Sequence, residues 1–201
     1  MELLVATRNK KKLREIKDLL KGLHLKITSL DDYSGLPKIE EDGQTFEENA
    51  IKKAVTIAQF TKKLTLGEDS GLEVKALKNQ PGVYSSRFSG PGATDGKNNL
   101  KLLRLLKGVP LKKRQARYCC TVALADGKKL IYVGGSSCSG LLGFHPKGTA
   151  GFGYDPLFVI PRYHKTFAEL GEDIKHTMSH RFRALRKLSP IIAKYLQRKT
   201  L

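Results

Sequence analysis

Five short segments of this chain hold more polar side chains than packing asks for, and each suits phosphate, metal or a flat ring. The first, ATRNKKK at 6–12, follows the apolar run LLVA and precedes a helical pattern. A strand–loop–helix junction aims backbone N–H groups and the positive end of a helix dipole at one point. Thr7 and Asn9 add hydrogen bonds there, Lys12 adds a charge, and Arg8, Lys10 and Lys11 crowd the same loop. Such a loop holds phosphate even without Walker glycines; taken alone, Thr7 or Asn9 reads as a helix cap. The second segment, TFEENAIKKA at 45–54, begins a helix with Glu47 and Glu48, the only acids of that helix. Glu48 can close a capping box with Thr45 or ligate a metal. The third, GEDSGL at 67–72, sets Glu68, Asp69 and Ser70 side by side, and Mg²⁺ prefers such hard oxygen ligands together with phosphates. Asp-Ser-Gly is also an ordinary turn.

In the fourth, GFGYDPLF at 151–158, glycines on both sides of Phe152 let backbone approach a ligand. Phe152 and Tyr154 offer flat faces on which a base can stack, with Gly153 and Asp155 beside them; the plain reading puts both aromatics in the core. The fifth, KHTMSHRFRAL at 175–185, has Ser179 as a cap and His180 and Arg181 in the first helical turn. Cations there oppose the helix dipole, a cost that an anion or an acceptor-rich ligand offsets.

The elements that must position these groups follow from periodicity. Residues 3–6 read as a buried strand; Leu13, Ile16, Leu19 and Leu20 keep helical spacing, and HLKITSL at 24–30 reads as a second strand of a βαβ unit. Thr45 opens a helix with Phe46, Ala50, Ala54, Ile57 and Ala58 on one stripe. LTLGEDSGLEVKAL reads as strand–turn–strand with the acids at the turn, and a helix spans about 97–106. Residues 117–133 form a hairpin turning at Asp126-Gly127. The seven glycines of 134–153 predict loop with at most a short strand, DPLFVI a strand, and the residues after Ser179 a C-terminal helix interrupted or kinked near Pro190. The pattern is a mixed α/β chain with a mixed sheet, one domain over 1–201 with two lobes.

Composition excludes several classes. Apolar residues make up 40% and charged residues 28%, which fits a folded domain rather than a disordered tail. No apolar run approaches the roughly 18 residues that cross a bilayer. The N-terminal apolar stretch precedes its positive charges, the reverse of a signal peptide, so a cytoplasmic protein is expected. Cys119, Cys120 and Cys138 give neither a disulfide framework nor a zinc site, and packing roles suit them. The net charge of +18 draws polyanions of any kind, but it is spread along the chain as a solvated surface.

Together and in this order, the five segments resemble the inosine triphosphate pyrophosphatase family, hydrolases of non-canonical purine nucleoside triphosphates. The likeness runs from Leu4 to about Leu185 and also includes PGVYSSR at 81–87 and Ala168-Glu169-Leu170. It implies Mg²⁺ held by Glu48 and Asp69, with Asp69 also the base that orients water and Lys12 neutralising phosphate. Thr7, Arg8, Asn9, Lys10, Lys11 and Ser70 would line the phosphates. Phe152, Gly153, Tyr154 and Asp155 would meet the base, while Lys175, His180 and Arg181 read its edge. The resemblance further implies a twisted mixed sheet in an elongated two-lobed chain with a central cleft, in a homodimer, and a role in cleansing the nucleotide pool of ITP and XTP. Two residues depart from the family pattern: Arg8 stands for a glycine, strained if its φ must be positive, and Glu68 for an aspartate. The alternatives are a Maf-type pyrophosphatase of modified pyrimidine nucleotides, which the SHR segment at 179–181 disfavours, and a basic nucleic-acid-binding protein. The acids at 47–48 and 68–69, and the lack of an aromatic-rich basic motif, weigh against specific nucleic-acid binding.

Overall fold

The computed structural model describes residues 2–200, so the two end residues of the expected 1–201 domain lie outside the described residues. In chain order the elements are β1 (Glu2–Val5), α1 (Lys10–Leu19), β2 (Lys26–Ser29), α2 (Phe46–Thr61), β3 (Leu64–Val74) and α3 (Asp95–Leu105). These are followed by β4 (Gln115–Asp126), β5 (Lys129–Leu142), β6 (Phe158–Ile160), β7 (Lys165–Thr166), α4 (Phe167–Met178) and α5 (His180–Thr200). The strands form one sheet in the order β2-β1-β3-β4-β5-β6-β7. β1 pairs parallel with β2 and β3, whereas β6 pairs antiparallel with β5 and β7, so the sheet is mixed as the sequence implied.

The chain divides into two compact units. The first comprises residues 1–69, 120–136 and 181–201; the second comprises 70–119 and 137–180. In the first unit, side chains alternate faces along each strand. Leu3, Val5, Leu64 and Leu66 join Ile16 and Leu20 of the α1 segment and Ala184, Leu185 and Leu188 of α5 in one apolar cluster. On the opposite face Leu4 and Ala6 meet Ile57, and Ala50, Ala54 and Ala58 of α2 pack on Ala123 and Ala125. The expected stripe of α2 is thus its buried stripe. Gly67 explains the alanines: a Cβ at this position would lie 2.1 Å from the Ala50 carbonyl oxygen and 2.7 Å from the Ala54 nitrogen. Helix and strand touch backbone to backbone there, and only glycine on β3 allows it.

The second unit has its own core, in which Leu72, Val74, Leu102, Leu106, Tyr118, Leu142, Leu157, Phe158 and Phe167 are buried together.

Several boundaries differ from expectation. The segment 64–74 is one continuous strand, so Glu68 and Asp69 sit mid-strand rather than at a turn. The hairpin turns at Gly127-Lys128, one residue later than expected, with Gly127 at φ 56°. β5 runs on to Leu142 through glycines that the sequence placed in a loop. Gly134 lies under the Tyr132 ring and Gly140 against the Phe158 ring, close approaches that a side chain would block. Of DPLFVI only Phe158–Ile160 is strand. Thr166 and Glu169 form a capping box that opens an unforeseen helix, α4, for which Ser179 is the C-terminal cap. α5 continues through Pro190, so of the expected interruption or kink the interruption does not occur.

Replacing Gly67 with Ala should drive α2 off β3. The expected loss is about 1–3 kcal/mol in urea unfolding, the usual range for overpacking. An unchanged midpoint would show that the contact is loose.

Candidate active site

In the first unit, β3 carries two consecutive carboxylates out of water: Glu68 is 3% exposed and Asp69 4%. Adjacent residues of a strand face opposite ways, so each acid needs its own partners. On the α2 face, Lys53 donates to Asp69 Oδ1 at 3.0 Å and to the Glu68 carbonyl at 3.2 Å, and Asn49 Nδ2 donates to Asp69 Oδ2 at 3.1 Å. Asn49 and Lys53 are one helical turn apart, so one stripe of α2 serves both oxygens. Lys53 also pairs with Glu41 Oε1 at 3.0 Å. Burial is the largest influence on Asp69 and lifts its carboxyl above the usual aspartate range, against the opposing pull of Lys53 and Lys12. Burial pulls the Lys53 ammonium down, but the charges of Asp69, Glu41 and Glu68 outweigh it and hold the ammonium above the usual lysine range.

On the other face Glu68 meets Lys12 of α1 at 2.9 Å and Arg181 of α5 at 3.1 Å, and it accepts the Cys120 thiol at 3.3 Å. Burial raises the Cys120 thiol well above its ordinary value, so the sulfur keeps its proton and acts as donor. Arg181 is 1% exposed and also binds Glu15 of α1. Burial would lower the Arg181 guanidinium, but Glu68 and Glu15 hold it charged. The cations expected to await a ligand at the start of α5 are therefore, in the case of Arg181, already offset by two protein carboxylates.

The loop before α1 is built as caps. Asn9 Oδ1 accepts from Lys11 and Lys12 N–H at 3.0 and 3.1 Å, and Thr7 Oγ1 accepts from Asn9 N–H at 3.1 Å. These bonds fix the turn that sends Lys12 toward Glu68, while Lys10 and Lys11 stay exposed. Arg8 is absent from the positive-φ residues and pairs with Asp31 at 2.9 Å, so it fills the glycine position without left-handed strain. Glu48 is exposed; its N–H donates to Thr45 Oγ1 at 3.1 Å and its carboxylate accepts from Gln44 N–H at 2.7 Å. The return arm of the cap thus lands one residue before the N-cap. Among the described residues, no three His, Cys, Asp or Glu side chains converge as a metal cage.

The second unit holds the other predicted residues. Ser70, half-buried, follows Asp69 on β3 with its side chain to the opposite face. Gly151 and Gly153 take φ of 77° and 64° and bend the backbone around Phe152. Asp155 Oδ2 accepts Phe152 N–H at 2.9 Å and Lys175 Nζ at 2.7 Å, and that ammonium lies 4.6 Å from the centroid of the half-buried Phe152 ring. Asp95 and Asn99 of α3 clamp Gly153 by its N–H and its carbonyl, at 2.9 and 3.0 Å. Tyr154 does not present a face: it is 3% exposed and its hydroxyl donates to the Ser85 carbonyl at 2.8 Å. His180, 4% exposed, stacks on Tyr118 at 4.7 Å and 8°.

Asn49, Lys53, Glu41, Glu15, Asp95, Asn99 and Tyr118 were not read from sequence. The one available signal was the pair Asn49 and Lys53, polar positions four apart on an otherwise apolar stripe.

A family model described as the Ham1 family matches residues 3–191. A protein of Desulforamulus reducens named dITP/XTP pyrophosphatase is 48% identical over 192 residues, 96% of each chain. One of the same name from Geobacter sulfurreducens is 50% identical over 185 residues, 91% of this chain and 92% of the relative. Among solved structures, a HAM1 protein from Coxiella burnetii superposes with TM-score 0.87 at 38% identity, covering 96% of this chain and 99% of its own. The Ham1 protein of Staphylococcus aureus gives 0.86 at 32% identity, covering 97% and 100%.

Arg181→Ala removes the guanidinium from two buried carboxylates, of which Glu68 keeps Lys12, and should cost about 3–5 kcal/mol in chemical unfolding. Arg181→Lys should recover part of that loss. Wild-type stability in Arg181→Ala would show that Glu15 and Glu68 do not depend on the guanidinium.

Proposed function

The chain belongs to the Ham1 family, and from that membership we propose that it hydrolyses non-canonical purine nucleoside triphosphates, ITP, dITP and XTP, to monophosphate and pyrophosphate. The observation that carries the reading is the placement of Lys12 and Lys53 directly on the consecutive carboxylates Glu68 and Asp69. Relatives named dITP/XTP pyrophosphatase match nearly the whole chain and supply the substrate class.

The donor set fits Mg²⁺. Mg²⁺ is commonly bound by one or two carboxylates together with substrate phosphates and water. Asp69 and Glu41 both reach Lys53, so two hard-oxygen donors already face one cation. Glu15, Glu41, Glu68 and Asp69 against Lys12, Lys53 and Arg181 leave a single negative charge, so the metal is best delivered with its triphosphate. We assign Asp69 and Glu41 as its ligands, with Glu48, committed to the Gln44 N–H, as the competing candidate. When bound, Mg²⁺ screens the phosphate charge and acidifies water.

The chain's own groups do the rest. Asp69, its carboxyl lifted by burial, accepts a hydrogen bond from the water that attacks the α-phosphorus and draws off its proton. Lys53 and Lys12 stabilise the charge that grows on the pyrophosphate leaving group, and the Thr7–Asn9 caps fix the position of Lys12. In the second unit Phe152 supplies the stacking face, and Lys175 and His180 are hydrogen-bond donors for a 6-oxo base. A donor-only edge leaves donors unpaired against the amino group of adenine and so rejects it. We further propose a cytoplasmic homodimer that cleanses the nucleotide pool of deaminated purines.

In a panel of purine and pyrimidine triphosphates, ITP and XTP should turn over with release of pyrophosphate and the others poorly. Preference for a pyrimidine would reverse the base assignment. Asp69→Asn should cut kcat about a hundredfold or more with the fold intact; activity within a few-fold of wild type removes Asp69 from the mechanism. Glu41→Gln should raise the Mg²⁺ concentration needed for half-maximal activity, while Glu48→Gln should not. The reverse result transfers the ligand role to Glu48.

A further inference from the structure

A buried side chain of the second unit touches both parts of the proposed base platform and has no role in the mechanism above. Tyr118, on β4, is 7% exposed. Its ring lies parallel to that of His180, with centroids 4.7 Å apart and planes 8° from coplanar. Its hydroxyl accepts the Tyr154 N–H at 3.1 Å and donates to the Asp155 carboxylate. Asp155 in turn holds the Phe152 N–H and Lys175. Behind it, the Tyr118 ring is wedged by Phe158 at 4.7 Å and Phe167 at 6.2 Å, so it has little freedom to turn.

We propose that Tyr118 is the positioning residue of base recognition, its ring setting the plane of His180 and its hydroxyl setting the Phe152–Asp155 turn with Lys175. The inference rests on the reading of Phe152, Lys175 and His180 as the base-binding residues. It has two separable parts because ring and hydroxyl act on different targets. A flat ring stacked on an imidazole confines its two nitrogens to one plane, so its hydrogen bonds leave in fixed directions. The hydroxyl is a further donor to a carboxylate that also holds the loop backbone and an ammonium. Burial keeps the Tyr118 phenol protonated far above neutral pH, so the donor toward Asp155 is always present. The role of the hydroxyl cannot pass to these neighbours, since Phe158 and Phe167 have no polar atom and Tyr154 spends its hydroxyl on Ser85.

Tyr118→Phe and Tyr118→Leu divide the two parts. Tyr118→Phe keeps the stack and loosens the turn: KM for ITP should rise several-fold, with kcat and the ITP/ATP ratio of kcat/KM near wild type. Tyr118→Leu also frees His180, and the ITP/ATP ratio should fall by about tenfold or more, as for other small misplacements of a binding group. The ring-current shift of the His180 carbon-bound protons should persist in Tyr118→Phe and vanish in Tyr118→Leu. A purely structural role would lower the melting temperature of both variants and leave KM and the ratio unchanged, and that outcome overturns the proposal. If the wild-type protein turns over no purine triphosphate, the functional reading fails by itself. Titration with inosine monophosphate then decides the positioning role: movement of His180 signals in wild type but not in Tyr118→Leu supports it, and identical behaviour of the two overturns it.

Discussion

Two consecutive carboxylates in the middle of a buried strand dictate the arrangement of everything near them in the first unit. A carboxylate removed from water must be neutralised or paired, and strand geometry turns Glu68 and Asp69 to opposite faces, so each has its own nearest cation. Lys12 and Arg181 therefore come to one face of β3 from α1 and α5, and Lys53 comes to the other from α2. The approach of α2 is close enough for Asn49 and Lys53 to reach because Gly67, immediately before the acids, has no side chain.

Such pairing is a poor way to gain stability, since the desolvation of buried ions roughly cancels their attraction. Its use is chemical. It leaves Asp69 with a carboxyl raised above the ordinary range yet flanked by an ammonium, and in the proposed reaction Lys12 and Lys53 meet the phosphate charge. Arg181 extends the same logic: at the first turn of α5 its charge opposes the helix dipole, and Glu15 and Glu68 offset that cost. The second unit is organised differently. A stacked aromatic core, Tyr118 with Phe158 and Phe167, carries a loop whose glycines bend around Phe152.

The sequence revealed the chemistry more readily than the backbone that carries it. Local signals were legible: the Asn9 cap, the apolar stripe of α2, the hairpin, and the five segments whose order pointed to the family. Acids in an apolar run read as a turn because the cations that compensate Glu68 lie 56 residues earlier and 113 residues later in the chain, and Lys53, which compensates Asp69, comes from another element. The glycines of β5 read as loop because the rings that fill their places, Tyr132 and Phe158, are not distinguished by spacing. Gly171, at φ 80° inside α4, broke the helical period and hid a helix whose capping box, Thr166 and Glu169, was in plain view. Glu41 was missed for a similar reason, since no element contains it and only its contact with Lys53 connects it to Asp69.

In the proposed mechanism the position of bond cleavage follows from where Asp69 directs water, and isotope placement reads it without any substitution. Hydrolysis of ITP by the wild-type protein in ¹⁸O-enriched water, with products resolved by phosphorus NMR or mass spectrometry, should place the label in inosine monophosphate and none in pyrophosphate. Label in pyrophosphate, or release of orthophosphate with the diphosphate, would mean attack at another phosphorus and would contradict the assignment of Asp69 and the lysines around it.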